Sequence, residues 1–293
     1  MNLKILVTGS NGQLGMELRD IARFKTEYDF IFTDIEQLDI TNEEQLTDIF
    51  EHHNPKFVIN CAAYTAVDAA ETDIDNAFRI NSAAVSNLSV ICQKHQIPII
   101  HISTDYVFDG QNFRPYTEKD PTNPQNIYGK SKLEGEEALK DYAKAIIIRT
   151  SWLYSAYGNN FAKTIMKLID EKPLVSVVFD QIGSPTYAQD LAVTIFEIVG
   201  KYYQTKEFLG GIYHFSNEGV CSWYDFAVEI LKQTKFKSDI VPVRSDLFPR
   251  PAKRPYYSVL DKTKIKETFS IKIAHWTESL SKCIFTIKKM SQK

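Results

Sequence analysis

The chain has 293 residues, enough for one large α/β domain or for a nucleotide-binding domain with a smaller second lobe. A formal net charge of −3 with 24% charged residues excludes the concentrated basic surface that nucleic-acid binding needs. Cys61, Cys92, Cys221 and Cys283 make no C-x-x-C pair, the six histidines show no metal-ligand spacing, and no run is long and apolar enough to cross a membrane. The N-terminus carries no signal-peptide pattern, so the expectation is a cytoplasmic protein with reduced cysteines, no readable metal site, and neither a nucleic-acid nor a membrane partner.

Leu3 to Thr8 is a short apolar run, followed by Gly9-Ser10-Asn11-Gly12-Gln13-Leu14-Gly15 and then by helix-spaced Leu18, Ile21 and Ala22. Strand, glycine turn and helix in that order predict a dinucleotide site. The glycines let the backbone approach a pyrophosphate, whose charge then sits at the amide-rich end of the helix. The second strand, Phe30 to Thr33, ends at Asp34. A carboxylate there can accept from the adenosine ribose hydroxyls and would repel a 2′-phosphate, which favours NADH; the alternative is an Asp that merely ends a strand. Thr41, with Glu44 three residues on, reads as the cap of the next helix.

Phe57 to Asn60 predicts a buried third strand leading into Cys61-Ala62-Ala63-Tyr64-Thr65-Ala66-Val67-Asp68. Small residues at 61 to 63 suit close approach of a ligand, or equally tight helix-on-sheet packing. Residues 74 to 94 carry helix-spaced apolar positions, and Ile97 to Ile102 forms the next strand, which delivers Ser103-Thr104-Asp105-Tyr106. In doubly wound sheets ligands sit beyond the carboxyl ends of the strands, so these groups face the cleft unless they serve only as turn caps.

Pro124 closes a loop, and Asn126 to Lys132 then opens a helix. Tyr128 and Lys132 are four apart and share one face, so a phenol and an ammonium project into the same cleft. A cation near a phenol favours its ionised form and brings it closer to working pH, which equips the pair to move a proton. Ala145 to Arg149 is another buried strand, followed by Thr150-Ser151-Trp152; the indole offers a face for a sugar ring or base, or fills a core. From Val175 onward short strands and Pro-containing turns suggest a smaller lobe, while Gly211 to Phe215 is apolar enough to return to the main sheet. The expected fold is a doubly wound, mostly parallel sheet with an interleaved lobe. Residues 1–170 with a returning segment near 186–216 bind the dinucleotide; 171–185 and 217–293 form the substrate-binding lobe.

Taken together, Ala62-Ala63-Tyr64-Thr65-Ala66-Val67-Asp68, Ser103-Thr104-Asp105-Tyr106-Val107-Phe108, Tyr128-Gly129-Lys130-Ser131-Lys132, Arg149-Thr150-Ser151-Trp152, Gly158-Asn159-Asn160-Phe161 and Asp180-Gln181-Ile182-Gly183-Ser184-Pro185-Thr186 carry a resemblance. The chain resembles the extended short-chain dehydrogenase/reductase family and, within it, the dTDP-4-dehydrorhamnose reductases. The resemblance implies NADH- or NADPH-dependent reduction of dTDP-4-dehydro-L-rhamnose to dTDP-L-rhamnose for cell-surface polysaccharide. It implies that Tyr128, Lys132 and Thr104 are catalytic. Gly9, Asn11, Gly12, Gln13, Leu14, Gly15, Asp34, Asp39, Ile40, Ala62, Ala63, Tyr64 and Thr65, with Tyr128 and Lys132, would hold the cofactor. Val67, Thr104, Asp105, Tyr106 and Trp152 would line the sugar-nucleotide pocket.

Arg254 is expected to approach the substrate diphosphate, because an Arg fork suits phosphate oxygens. By resemblance alone, the assembly is a monomer or a homodimer, with Mg²⁺ in some members; no magnesium cage is readable in the sequence. The competing readings are a regulatory subunit like the β subunit of methionine adenosyltransferase, or another nucleotide-sugar reductase or epimerase of this family. A 4,6-dehydratase would carry an acidic pair after the threonine, whereas Asp105 is followed here by Tyr106.

Overall fold

A computed structural model describes residues 3–291. Its centre is a six-stranded sheet of β1 (Leu3–Thr8), β2 (Tyr28–Phe32), β3 (Phe57–Asn60), β4 (Ile99–Thr104), β5 (Ala145–Thr150) and a last strand, Gly211–Phe215. The spatial order is β2-β1-β3-β4-β5 and then Gly211–Phe215, with every pairing parallel. The order reverses direction between β1 and β3, so a crevice opens beyond the carboxyl ends of those two strands.

Strands covered on both faces are apolar along most of their length, and β3 and β5 are buried throughout, with polar residues only at their carboxyl ends. Alternate residues feed opposite cores. Ile5, Val7, Ile59, Ile100, Ile146 and Ile148 pack with helix α1 (Gln13–Ala22) and the helix Ala188–Thr205. Leu6, Val58, Ile99 and Ile147 pack with the helices Glu43–His53 and Ala84–His95 on the other side. A third core, including Ile165, Val175, Phe226, Trp276 and Leu280, joins the helices Phe161–Glu171, Trp223–Lys232 and Trp276–Met290 to the parallel pair Leu174–Val178 and Asp239–Val243.

Two local expectations are corrected. The helix after β2 starts at Glu43, one residue later than expected, and Asn42 is its cap, with Oδ1 accepting from Gln45 N–H at 3.0 Å. Thr41 instead accepts from Arg79 at 3.0 Å, so its hydroxyl is committed elsewhere. The long helix at 74–95 is interrupted by a π turn over Arg79–Ala83. There the Asn81 side chain bonds both the N–H and the C=O of Tyr64 and reaches Ser131 Oγ at 3.0 Å, contacts that periodicity cannot foresee. Among the described residues no helix is long and apolar enough to cross a membrane, and no group of three or more His, Cys, Asp or Glu could hold a metal ion.

Candidate active site

The helix Ile127–Glu137 is capped by Asn126, whose Oδ1 accepts from Gly129 N–H at 2.8 Å while Nδ2 donates to Lys253 C=O at 2.9 Å. This cap fixes where the helix begins, and thereby puts Tyr128 in its first turn and Lys132 one turn on. Both line a cleft of about 570 Å³ above the carboxyl ends of the strands, together with Gly12, Thr104, Asp105 and Trp152.

Lys132 is 2% exposed, and its Nζ donates to Ile102 C=O at 2.7 Å. Burial pulls its ammonium down to about 8, against the opposing charges of Glu136 and Cys61. Burial also raises the Tyr128 phenol above its ordinary value, with the Thr104 hydroxyl beside it acting the other way. That reverses the expectation from sequence, in which the ammonium brings the phenol toward working pH: burial is the largest cause, and Asp105 and Tyr106 push the same way.

Thr104 is buried; its Oγ1 donates to Asp105 Oδ1 at 3.0 Å and accepts from Tyr106 N–H at 3.2 Å. Asp105 is 3% exposed, and its Oδ2 has no hydrogen-bond partner among the described residues. Burial pushes its carboxyl up to about 7, so it stands near its ionisation midpoint at neutral pH. Tyr106 packs edge-on against Tyr128, with centroids 5.5 Å apart. Its hydroxyl accepts from Arg254 Nη1 at 3.2 Å, and Arg254 Nη2 lies 2.9 Å from Asp68 Oδ2.

Arg254 therefore borders an adjoining cavity of about 540 Å³ rather than the main cleft, and it shares that cavity with Tyr106, Trp223, Arg250 and Gln181. Trp152 lines the main cleft with a backbone φ of 50°. Its indole stacks on Trp223 at 3.5 Å and 7°, so one face is covered by Trp223 and the other is left for a ligand.

At the other end, Gly12 caps α1 with no side-chain hydrogen bond, which leaves the first-turn amides to a ligand. Gly9 has φ 63°, and a Cβ there would lie 2.5 Å from Ala62 N, so only glycine lets the ends of β1 and β3 meet at the switch point. A second cavity of about 280 Å³ continues past Asp34, Asp39, Ile40, Ala62 and Ala63. Asp34 accepts from Asn11 N–H at 2.8 Å and from Ile35 N–H at 2.9 Å. An uncapped helix start, a glycine-only crossing and a ribose-level carboxylate fit a nicotinamide dinucleotide.

Gly9, Gly12, Gln13, Leu14, Gly15, Ala63, Thr65 and Val67 all border the main cleft. Asn11 and Tyr64 border neither cavity; Asn11 instead orients the Asp34 carboxylate, and Tyr64 is tied by its backbone to Asn81. Cys61 and Ser103 border the cleft, as their places after β3 and late in β4 suggest, whereas sequence reasoning missed Thr150, Ser151 and Asn159 as lining residues. Thr150 closes β5 and Ser151 follows it, so the strand-end rule could have found both. Nothing local marks Trp223 or Arg250.

The family described as RmlD substrate binding domain matches residues 3–289. The chain belongs to this family. Its sequence is 40% identical over 284 residues to the dTDP-4-dehydrorhamnose reductase of Aggregatibacter actinomycetemcomitans, covering 94% of this chain and 97% of that one. The structure superposes on a dTDP-4-dehydrorhamnose reductase of Clostridium acetobutylicum with a TM-score of 0.91 at 42% identity, covering 97% and 99% of the two chains. It superposes equally, TM-score 0.91 and 40% identity over 98% and 100%, on the dTDP-4-dehydrorhamnose reductase of Bacillus anthracis in complex with NADP. These two relatives share this chain's fold over nearly its whole length.

Proposed function

We propose that the protein reduces the C4 carbonyl of dTDP-4-dehydro-L-rhamnose to the alcohol of dTDP-L-rhamnose, with NADH or NADPH as the reductant. The observation that carries this reading is the opening of Tyr128, Lys132 and Thr104 onto the same cleft as the glycine turn. Support comes from relatives that are dTDP-4-dehydrorhamnose reductases over nearly their whole length.

A dihydronicotinamide held there would supply the hydride. As negative charge develops on the carbonyl oxygen, Tyr128 gives it a proton, and Thr104 turns its hydroxyl from Asp105 Oδ1 to donate a hydrogen bond to the same atom. The raised proton affinity of Tyr128 keeps the phenol protonated before turnover, as a general acid must be. Lys132 then stands by the phenolate as its counter-charge. Val67, Asp105, Tyr106 and the open side of Trp152 shape the sugar pocket, and the cavity past Tyr106 takes the nucleotide.

Arg254 holds the Tyr106 hydroxyl and Asp68, and it is one exchange of partners from a phosphate oxygen. The division into a dinucleotide-binding part (1–170 with 186–216) and a substrate-binding lobe (171–185 and 217–293) belongs to the same reading. It is supported by the separate third core, which also takes in the helix Phe161–Glu171.

The test follows NADH absorbance with purified protein and the dTDP-4-keto-6-deoxysugar, with NMR identification of the product. Tyr128→Phe is expected to lower kcat by about 10²–10⁴-fold while the KM for NADH holds steady. Absence of NADH and NADPH oxidation by the unaltered protein would end this assignment.

A further inference from the structure

Beneath Lys132 three neighbouring strands carry a run of buried polar groups that hydride transfer does not itself require. Thr8 closes β1, Asn60 closes β3 and His101 lies in β4, each no more than 1% exposed. Thr8 Oγ1 donates to Asn60 Oδ1 at 2.7 Å, and Ala62 N–H donates to the same oxygen at 3.1 Å. A backbone N–H can only donate, so the orientation of the Asn60 amide is fixed: its oxygen faces Thr8 and Ala62. Its nitrogen must then face His101 Nδ1, 3.0 Å away.

An amide nitrogen offers no lone pair, so Nδ1 accepts and carries no proton. Burial and the nearby Lys132 charge hold the imidazole neutral, which leaves its one proton on Nε2. That atom lies 3.4 Å from Lys132 Nζ. An N–H turned toward an amine favours the free base over the ammonium.

We propose that Asn60 and His101 are positioning residues that set the protonation state of Lys132 by holding an imidazole N–H against its amine. Other groups face Lys132 as well. Glu136 on the same helix and Cys61 at the end of β3 both favour the ammonium, and Glu136 is itself held by Arg149. Tyr128 shares the helix and the cleft. Ile102 C=O accepts from either form of the amine. The His101 N–H is the polar group that opposes Glu136 and Cys61, and Asn60 sets its direction. Because Asn60 also receives the Ala62 N–H, the segment bordering the cofactor cavities is tied to the same chain.

The inference rests on the reductase reading only for its kinetic consequence, so its test is read first by NMR of the His101 ring nitrogens and of Lys132 Nζ, which needs no substrate. In the unaltered protein His101 is expected as the neutral Nε2–H tautomer from pH 6 to 9. Asn60→Asp supplies a carboxylate that accepts from Nδ1, moves the ring proton there and turns a lone pair on Nε2 toward Lys132. The tautomer signature reverses, and the Lys132 titration midpoint rises by about one pH unit or more, a tenfold shift in its proton equilibrium. His101→Phe removes the N–H and moves the midpoint the same way, and the alkaline limb of kcat follows in both variants.

An Nδ1–H or charged imidazole in the unaltered protein overturns the proposal even if neither variant folds. So does a Lys132 midpoint that stays put in both. A missing turnover with the expected tautomer and titration counts against the reductase reading alone.

Discussion

Arg149 in β5 and Glu136 on the helix of Tyr128 and Lys132 form a forked ion pair in the interior, with Nη2 2.6 Å from Oε2 and Nε 2.9 Å from Oε1. Both side chains are almost fully buried, and Ser103 of β4 adds its hydroxyl to Oε1. Glu136 sits one turn beyond Lys132, so the pair fixes the rotation and depth of that helix against the sheet. Removing one partner of a buried pair leaves the other charged without compensation, at a cost of about 3–5 kcal/mol. Arg149→Met should lower unfolding stability by that amount in a urea titration, and adding Glu136→Leu should restore most of it. A loss under about 1 kcal/mol, the range of an exposed pair, would show that the helix is held by other contacts.

A second acid is buried away from the cleft. Glu17 on α1 is 2% exposed and accepts from Ser155 Oγ; burial pushes its carboxyl up to about 7. A carboxyl whose folded value exceeds its unfolded value binds protons on folding. Stability is therefore favoured below the unfolded value, near 4.5, and is lost as pH rises toward 7. Glu17→Gln keeps an oxygen for Ser155 and removes the titration. It should be more stable than the parent at pH 8, by about 2–3 kcal/mol, and no more stable at pH 4. Denaturation midpoints at the two pH values decide this, and an equal difference at both would refute it.

Cofactor choice is expected to turn on Asp34. Among the described residues no lysine or arginine lines the cavity it borders, and Asp39 adds a second carboxylate. A 2′-phosphate would meet uncompensated negative charge, so the KM for NADPH should exceed that for NADH by about tenfold or more, and Asp34→Asn should narrow the gap. Initial rates with each cofactor measure it. A preference for NADPH in the unaltered protein would mean that a cation from outside the cavity reaches the ribose.

Trp152 depends on a residue 31 positions away in sequence. A Cβ on Gly183 would lie 2.6 Å from the indole Cε2 and 2.7 Å from Ser258 Oγ. Because Trp223 already packs the indole at 3.5 Å, the ring has little room to yield. Gly183→Ala should raise the KM for the sugar nucleotide about tenfold, or 1.4 kcal/mol, and leave the NADH KM unchanged. Equal effects on both would point to a general loss of fold.

Much of the site could be read from short windows. The glycine turn after the first strand and the i, i+4 pair at 128 and 132 are local patterns, and both open onto the cleft. The last strand before the helix Ile127–Glu137 extends through Thr104, two residues beyond the apolar run, because pairing with β5 continues to Thr150. The Thr41 cap failed by one position because Asn42 competes for the same role with an equally suitable side chain. Arg254 was found for its charge, but its partners Asp68 and Tyr106 were not.

What the sequence determined alone is the order of strands and helices and the residue types at strand ends and helix starts, since period 2, period 3.6 and glycine turns are properties of neighbouring residues. Only the tertiary structure decided which side chains meet: Trp223 on Trp152, Arg254 on Tyr106, and the chain from Thr8 through Asn60 and His101 to Lys132. It also decided the proton affinities of Tyr128, Lys132 and Asp105, in which burial is the largest cause. Burial depends on what the whole chain packs around a group, and no local pattern of residues carries that information.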